Sequence, residues 1–210
     1  MEDKQIIPLI HQKDTWCKMI IPEEVERKIR LLCREIHNIE WSGILFYKVT
    51  GSFEDKNLTV ICQDIYQMDI GNGSYTEYTM NPSVASYMLD HDLIDCYQGH
   101  IHSHHNMSTF FSGTDTQELK DSGVDTNHFV SLIVNNIGKY TAGITKKVNS
   151  KRTVKETFTY NSFNDVEFTG EKEYTTEDSY LEWYNLDIEI QGKINNFEEE
   201  MLNRIKEIRE

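Results

Sequence analysis

The chain has 210 residues, 38% of them hydrophobic and 27% charged, with 11 Tyr, 9 Phe and 3 Trp, which excludes a disordered polymer and suits one domain of ordinary size with an appendage. A formal net charge of -14 argues against a nucleic-acid partner, because phosphate binding needs a basic footprint. No stretch approaches the roughly 18 uninterrupted apolar residues of a spanning helix, and the N-terminus lacks a basic region followed by an apolar run, so the expectation is a cytoplasmic protein with no membrane partner.

In chain order, "IIPEEVERKIRLLCREIHN" predicts a helix opening at Pro22, with Glu23 and Glu24 in a first turn where the macrodipole favours acids. Val25, Ile29, Leu32 and Ile36 recur at helical spacing and form an apolar stripe that should pack on a sheet. "EWSGILFYKVTG" and "NLTVICQDIYQMD" read as an antiparallel strand pair joined by a polar turn. "GNGS" is a loop, and "NPSVASYMLDHDL" is a helix with Asn81 as cap and Pro82 at its first position.

"DCYQGHIHSH" has strand character, "TDTQELKDSG" is a short helix ended by Gly123, and "HFVSLIVNN" with "KYTAGITKKV" forms the clearest hairpin. Past residue 150, "KRTVKETFTYNSF" alternates like one more strand. Residues 161–178 read as an acidic linker and 179–210 as an amphipathic helix. In that tail Ile190, Ile194, Phe197, Met201, Ile205 and Ile208 lie close to a heptad seam, which either packs on the chain's own domain or serves a homodimer or partner helix. From Asp165 onward there are 14 acidic and 5 basic residues, so most of the negative charge sits there. Cys17, Cys33, Cys62 and Cys96 form no CxxC pair, so reduced, buried thiols are expected.

The chemistry concentrates in "GHIHSHHNMSTFFSGTD", residues 99–115, where four of the eight histidines fall within six residues. On a strand, His100, His102 and His104 share one face while Ile101, Ser103 and His105 share the other. Two imidazoles so spaced can grip one ion, and Asp115 can supply a third ligand. Ser112 and Asp115 also spell a capping box for the following helix, which needs no chemistry.

His102, His104, Ser112 and Asp115 together match HxHx7SxxD, and this pattern resembles the signature of the JAMM (MPN-type) zinc metalloproteases and isopeptidases. Gly99, His102, Ser103 and His104 fit the family's "GxxHSHP" text. Glu40, in "EWSGIL" with Gly43 and Leu45 in step, fits the upstream glutamate context "ExxGxL". Two departures stand out: His105 replaces the common proline and His100 an aromatic residue. Both stand beside the ligands, with Ser103, as supporting or surface groups.

The resemblance implies a mixed α/β fold, a central β-sheet flanked by helices in a deaminase-like three-layer arrangement, with a JAMM/MPN-like catalytic domain over residues 1–160. It implies one Zn2+ per chain held by His102, His104 and Asp115, with Glu40 as general base and acid and Ser112 as donor to the oxyanion. Zinc so held lowers the pKa of its water towards about 7 and supplies a nucleophile. The expected substrate is an amide or isopeptide bond at the C-terminus of ubiquitin or a ubiquitin-like protein. The alternatives are a peptidase on other peptides and a non-catalytic scaffold recruiting partners through its C-terminal helix.

Overall fold

The first helix forms where acids meet its positive end and apolar residues recur every three or four positions. In the computed structural model, which describes residues 8–14, 16–72, 76, 80–161 and 167–192, α1 spans Glu23–Glu35 and buries Val25, Ile29 and Cys33. Pro22 is its N-cap rather than its first residue. The other elements are β1 (Leu9–Gln12), β2 (Lys18–Pro22), β3 (Trp41–Thr50), β4 (Thr59–Ile70), α2 (Ser83–Asp90), β5 (Tyr97–Ser103), α3 (Gly113–Asp125), β6 (Val130–Val134), β7 (Tyr140–Asn161) and β8 (Glu167–Gln191). The protein is therefore mixed α/β, as expected, with three helices among the described residues.

The strands form one mixed sheet in the order β1-β8-β2-β4-β3-β5-β6-β7, and β7 also pairs with β8, so the sheet closes on itself. β3 pairs antiparallel with β4 and β5, while β5 and β6 run parallel and are joined through α3, as a parallel pair requires a crossover. β3 is buried on both faces, hence its near-continuous apolar run. Leu45 and Tyr47 join the main core with Met19, Ile21, Ile29, Ile101 and Leu132, while Ile44 and Phe46 cluster with Val84 of α2 and with Leu93 just beyond it. Leu119 of α3 packs with Phe129 and Trp183 in a third cluster.

The C-terminal part departs from expectation. β8 occupies Glu167–Gln191, paired residue for residue with β7 from Asn161↔Glu167 to Ala142↔Leu186, and continues beside β2. The linker assigned to 161–178 and the helix assigned to begin at 179 are both replaced over these residues by strand. Leu186, Ile188 and Ile190 alternate with Asp187, Glu189 and Gln191, a period of two that competes with the helical reading of Ile190. Open ladders on β7, β2 and β1 decide for the strand. The remainder of the heptad stripe, from Ile194 on, lies outside the described residues.

Two smaller differences concern helix ends. α3 runs through Gly123 to Asp125, and Gly123 is buried where a Cβ would come within 3.0 Å of Thr145, so it serves close packing rather than a C-cap. Pro82 caps α2 with Asn81 Oδ1 accepting from the Ser83 amide at 2.9 Å. All four cysteines are free and buried, as expected. No helix among the described residues is long and apolar enough to cross a membrane.

Candidate metal centre

β5 alternates as a strand must: Ile101 enters the core while His100 and His102 face the other side, towards α3. His104 follows the strand end, where its amide donates to Val134 O at 2.8 Å. The His102 and His104 rings lie 5.1 Å apart and their Nε2 atoms 3.2 Å apart. His104 Nδ1 bonds the Ser108 carbonyl at 2.9 Å. A carbonyl can only accept, so that nitrogen carries the proton and Nε2 presents its lone pair to the centre.

Asp115 reaches the same place from the first turn of α3. Ser112 is the N-cap, and the reciprocal box is complete: the Asp115 amide donates to Ser112 Oγ at 3.3 Å, and the Ser112 amide donates to Asp115 Oδ2 at 2.7 Å. Asp115 Oδ1 stands 3.1 Å from His102 Nε2, and Oδ2 3.8 Å from His104 Nε2. Capping and ligation are therefore compatible, because the box fixes the carboxylate that faces the imidazoles.

Glu40 is placed by the strand pair. The β3–β5 ladder ends at Ser42↔His102, and Glu40, two residues before Ser42, lies close enough to His104, His105 and Asp115 to feel their charge. Its amide donates to Asn72 O at 2.7 Å and its carbonyl accepts from Gly71 N at 2.9 Å. Next to it the Trp41 amide donates to Ser103 Oγ at 3.0 Å. Ser103 thus ties the end of β5 to the start of β3, and with them Glu40 to His104.

Burial and charge set the protonation states. Burial pushes the His102 imidazole below its ordinary pKa, against the opposing pull of Asp115, which favours the neutral ring a metal requires. Burial would raise the Asp115 carboxyl, but the hydrogen bond with His102 and the two Ser112 donors outweigh it and hold the group well below the carboxylate range. Glu40 goes the other way: burial raises it, and the partial relief from His104 and His105 does not cancel that rise.

Ligand atoms of His102, His104 and Asp115 lie within 4.8 Å of one another, and all three residues are buried. A tetrahedral ion with bonds of about 2.0–2.1 Å places its ligand atoms roughly 3.3 Å apart, close to the 3.1 and 3.2 Å seen on His102. Two imidazoles and a carboxylate form a donor set suited to zinc among other divalent ions. The group can hold a metal ion.

The remaining histidines take different places. His100 Nδ1 bonds Glu118 at 2.6–2.7 Å, and its ring stacks on His102 with centroids 5.0 Å apart. His100 therefore buttresses a ligand from outside the ligand triangle. Glu118 escaped the sequence reading, although it stands three residues after Asp115 on one helical face. His105 adopts φ 32°, a left-handed conformation closed to proline, whose ring holds φ near -65°. The turn after the second histidine therefore differs in kind from one built on proline. Phe110, 57% exposed, sets its edge against the His104 ring at 5.7 Å.

No family model matches the sequence, and no curated protein matches it. Among solved structures, the solution structure of a protein from Desulfitobacterium hafniense aligns with a TM-score of 0.45 and 11% identity, over 85% of this chain and 96% of that one.

Proposed function

We propose that the protein is a zinc-dependent hydrolase of JAMM (MPN-type) character that cleaves amide or isopeptide bonds, with the C-terminus of a ubiquitin-like protein as substrate. The observation that carries this reading is that α3 turns Asp115 onto His102 at 3.1 Å, while Glu40, just before the β3–β5 ladder, lies within electrostatic reach of His104 and Asp115. Five polar residues from three separated stretches meet there, and a scaffold has no chemical need for them together.

His102, His104 and Asp115 would hold the ion. A bound zinc supplies Lewis acidity and a water acidified towards neutral pH. Glu40, whose carboxyl burial raises above its ordinary value, would accept a proton from that water and return it to the departing amine. Ser112 Oγ accepts from the Asp115 amide, and its hydroxyl proton, which can lie on the Asp115 carboxylate, would turn to an oxyanion developing beside the metal.

The test pairs elemental mass spectrometry of the purified protein with cleavage of ubiquitin-like fusions and of generic peptides. One zinc per chain, lost in His102→Ala, with cleavage abolished in Glu40→Gln, is the expected result. Absence of specific zinc after replenishment overturns the reading, and zinc without cleavage of any amide substrate returns the protein to a scaffold.

A further inference from the structure

The outer half of the β7–β8 ribbon belongs neither to the core nor to the metal centre. β6 pairs with β7 as far as Ile144, β1 pairs with β8 from Leu181, and from Asn149↔Ser179 to Asn161↔Glu167 the two strands pair with each other alone. Residues 149–161 extend about 43 Å at roughly 3.3 Å per residue. A two-stranded ribbon of this kind is marginal in water unless an apolar face is covered.

Its two faces are unlike, since residues directly opposite one another share a face. One face is polar: Lys151 bonds Glu177 at 2.9 Å, Lys155 approaches Glu173 at 3.8 Å, and Thr153 stands opposite Thr175 between them. The other continues the face that carries Ile144 and Tyr184 into the main core at the base of the ribbon. Farther out it presents Val154 opposite Tyr174, and then Phe158, whose ring lies so close over Gly170 that a Cβ there would come within 2.6 Å. Tyr174 and Phe158 keep 38% and 45% of their surface in solvent, and no core cluster among the described residues includes them.

The charges on this face select what covers it. Arg152 and Glu156 flank Val154 at two residues on either side, so the face is complementary to itself. When a second copy packs face to face about a two-fold axis through Val154, perpendicular to the strands, Arg152 of each copy meets Glu156 of the other and the Val154–Tyr174 pairs meet at the centre. Glu156 then stands between Arg152 of the other copy and Lys172, which lies opposite it on its own ribbon. Charges of both signs in one stripe suit neither a phosphate backbone nor an anionic lipid surface. Lys147, Lys151 and Lys155 along β7 disfavour a strand added at its edge, which leaves the face as the contact. We propose that the outer β7–β8 ribbon is a self-association surface that packs its apolar face on the same face of a second copy. A ribbon of about 43 Å by 10 Å offers roughly 400 Å2 per copy, half of the standard interface of about 800 Å2 per partner, so the association is weak and concentration-dependent. The inference stands apart from any catalytic activity.

The test is sedimentation equilibrium of the full chain from about 1 µM to about 1 mM, the span of weak association. A reversible dimer is expected, and Tyr174→Asp should raise its dissociation constant at least about tenfold. Thr153→Asp, on the polar face, is the control and should leave it unchanged. Arg152→Glu alone and Glu156→Arg alone should each abolish self-association. An equimolar mixture of those two variants should associate again, to within about tenfold of the wild-type affinity, because opposite charges then face each other across the axis. A chain that stays monomeric over the whole range overturns the proposal. So does a dimer indifferent to Tyr174→Asp or to the charge reversals, or a mixture that remains monomeric.

Discussion

At the scale of single residues, the candidate centre places a costly carboxylate near a useful imidazole. Because Glu40 has a folded-state pKa raised by burial, the folded state binds its proton more tightly than the unfolded state. Glu40 therefore costs stability as pH rises above its unfolded value of about 4.3. Glu40→Gln is expected to keep zinc, lower turnover by about 100- to 10,000-fold, and raise the melting temperature at neutral pH. That thermal gain should vanish below about pH 4, as differential scanning fluorimetry across pH will show. Ser112→Ala should slow turnover by about 100- to 1,000-fold and cost roughly 1 kcal/mol of helix capping, with zinc retained. Loss of metal in that variant would show that capping, not oxyanion stabilisation, is the dominant role of Ser112.

At the scale of elements, the glycines of the motif are explained by backbone approach. A Cβ on Gly99 would sit 2.2 Å from Val130 O, and one on Gly43 2.3 Å from Tyr66 O, so each marks a place where neighbouring strands leave no room for a side chain. Gly99→Ala should force β5 from β6 and destabilise the fold by about 1–3 kcal/mol, read from the urea midpoint. In the adjoining turn, His105→Gly relieves the positive φ and should stabilise by up to about 1 kcal/mol, whereas His105→Pro should break the turn and abolish metal binding. The helix stripe, the β3–β4 pair and the β6–β7 hairpin were legible because each carries its own period or turn chemistry. β8 was not. Its residues alternate over Leu186–Gln191, yet Ile190 also opens a heptad pattern, and the ladders that choose between the two lie some 40 residues away on β7 and at the other end of the chain on β2.

For the whole molecule, acid should act through the centre before it acts elsewhere. His102 has a folded-state pKa lowered by burial, so the unfolded chain binds its proton more readily and stability falls as pH drops below about 6.5. Asp115, held below the carboxylate range, contributes stability above about 3.9 that is lost as pH falls further. Thermal melts from pH 8 to pH 3 should show two successive losses, and His102→Gln should lack the first. The thiols report on the core in a different way. Burial pushes Cys17 and Cys62 up to about 12, so in the native protein both should resist an aromatic disulfide reagent that labels them at once in denaturant.

What the sequence by itself determined is the identity and order of the chemical groups: a histidine pair at strand spacing, a serine and aspartate at capping spacing, a glutamate ahead of an apolar strand. These are local patterns, and local geometry makes them readable. Only the tertiary structure decided that they meet. The β3–β5 pairing brings Glu40 within electrostatic reach of His104 across more than 60 positions, the capping box of α3 aims Asp115 at His102, and Glu118 becomes a partner of His100. It also decided the fate of residues 167–191, since a strand is completed by partners on both sides and no stretch of chain carries its partners within itself.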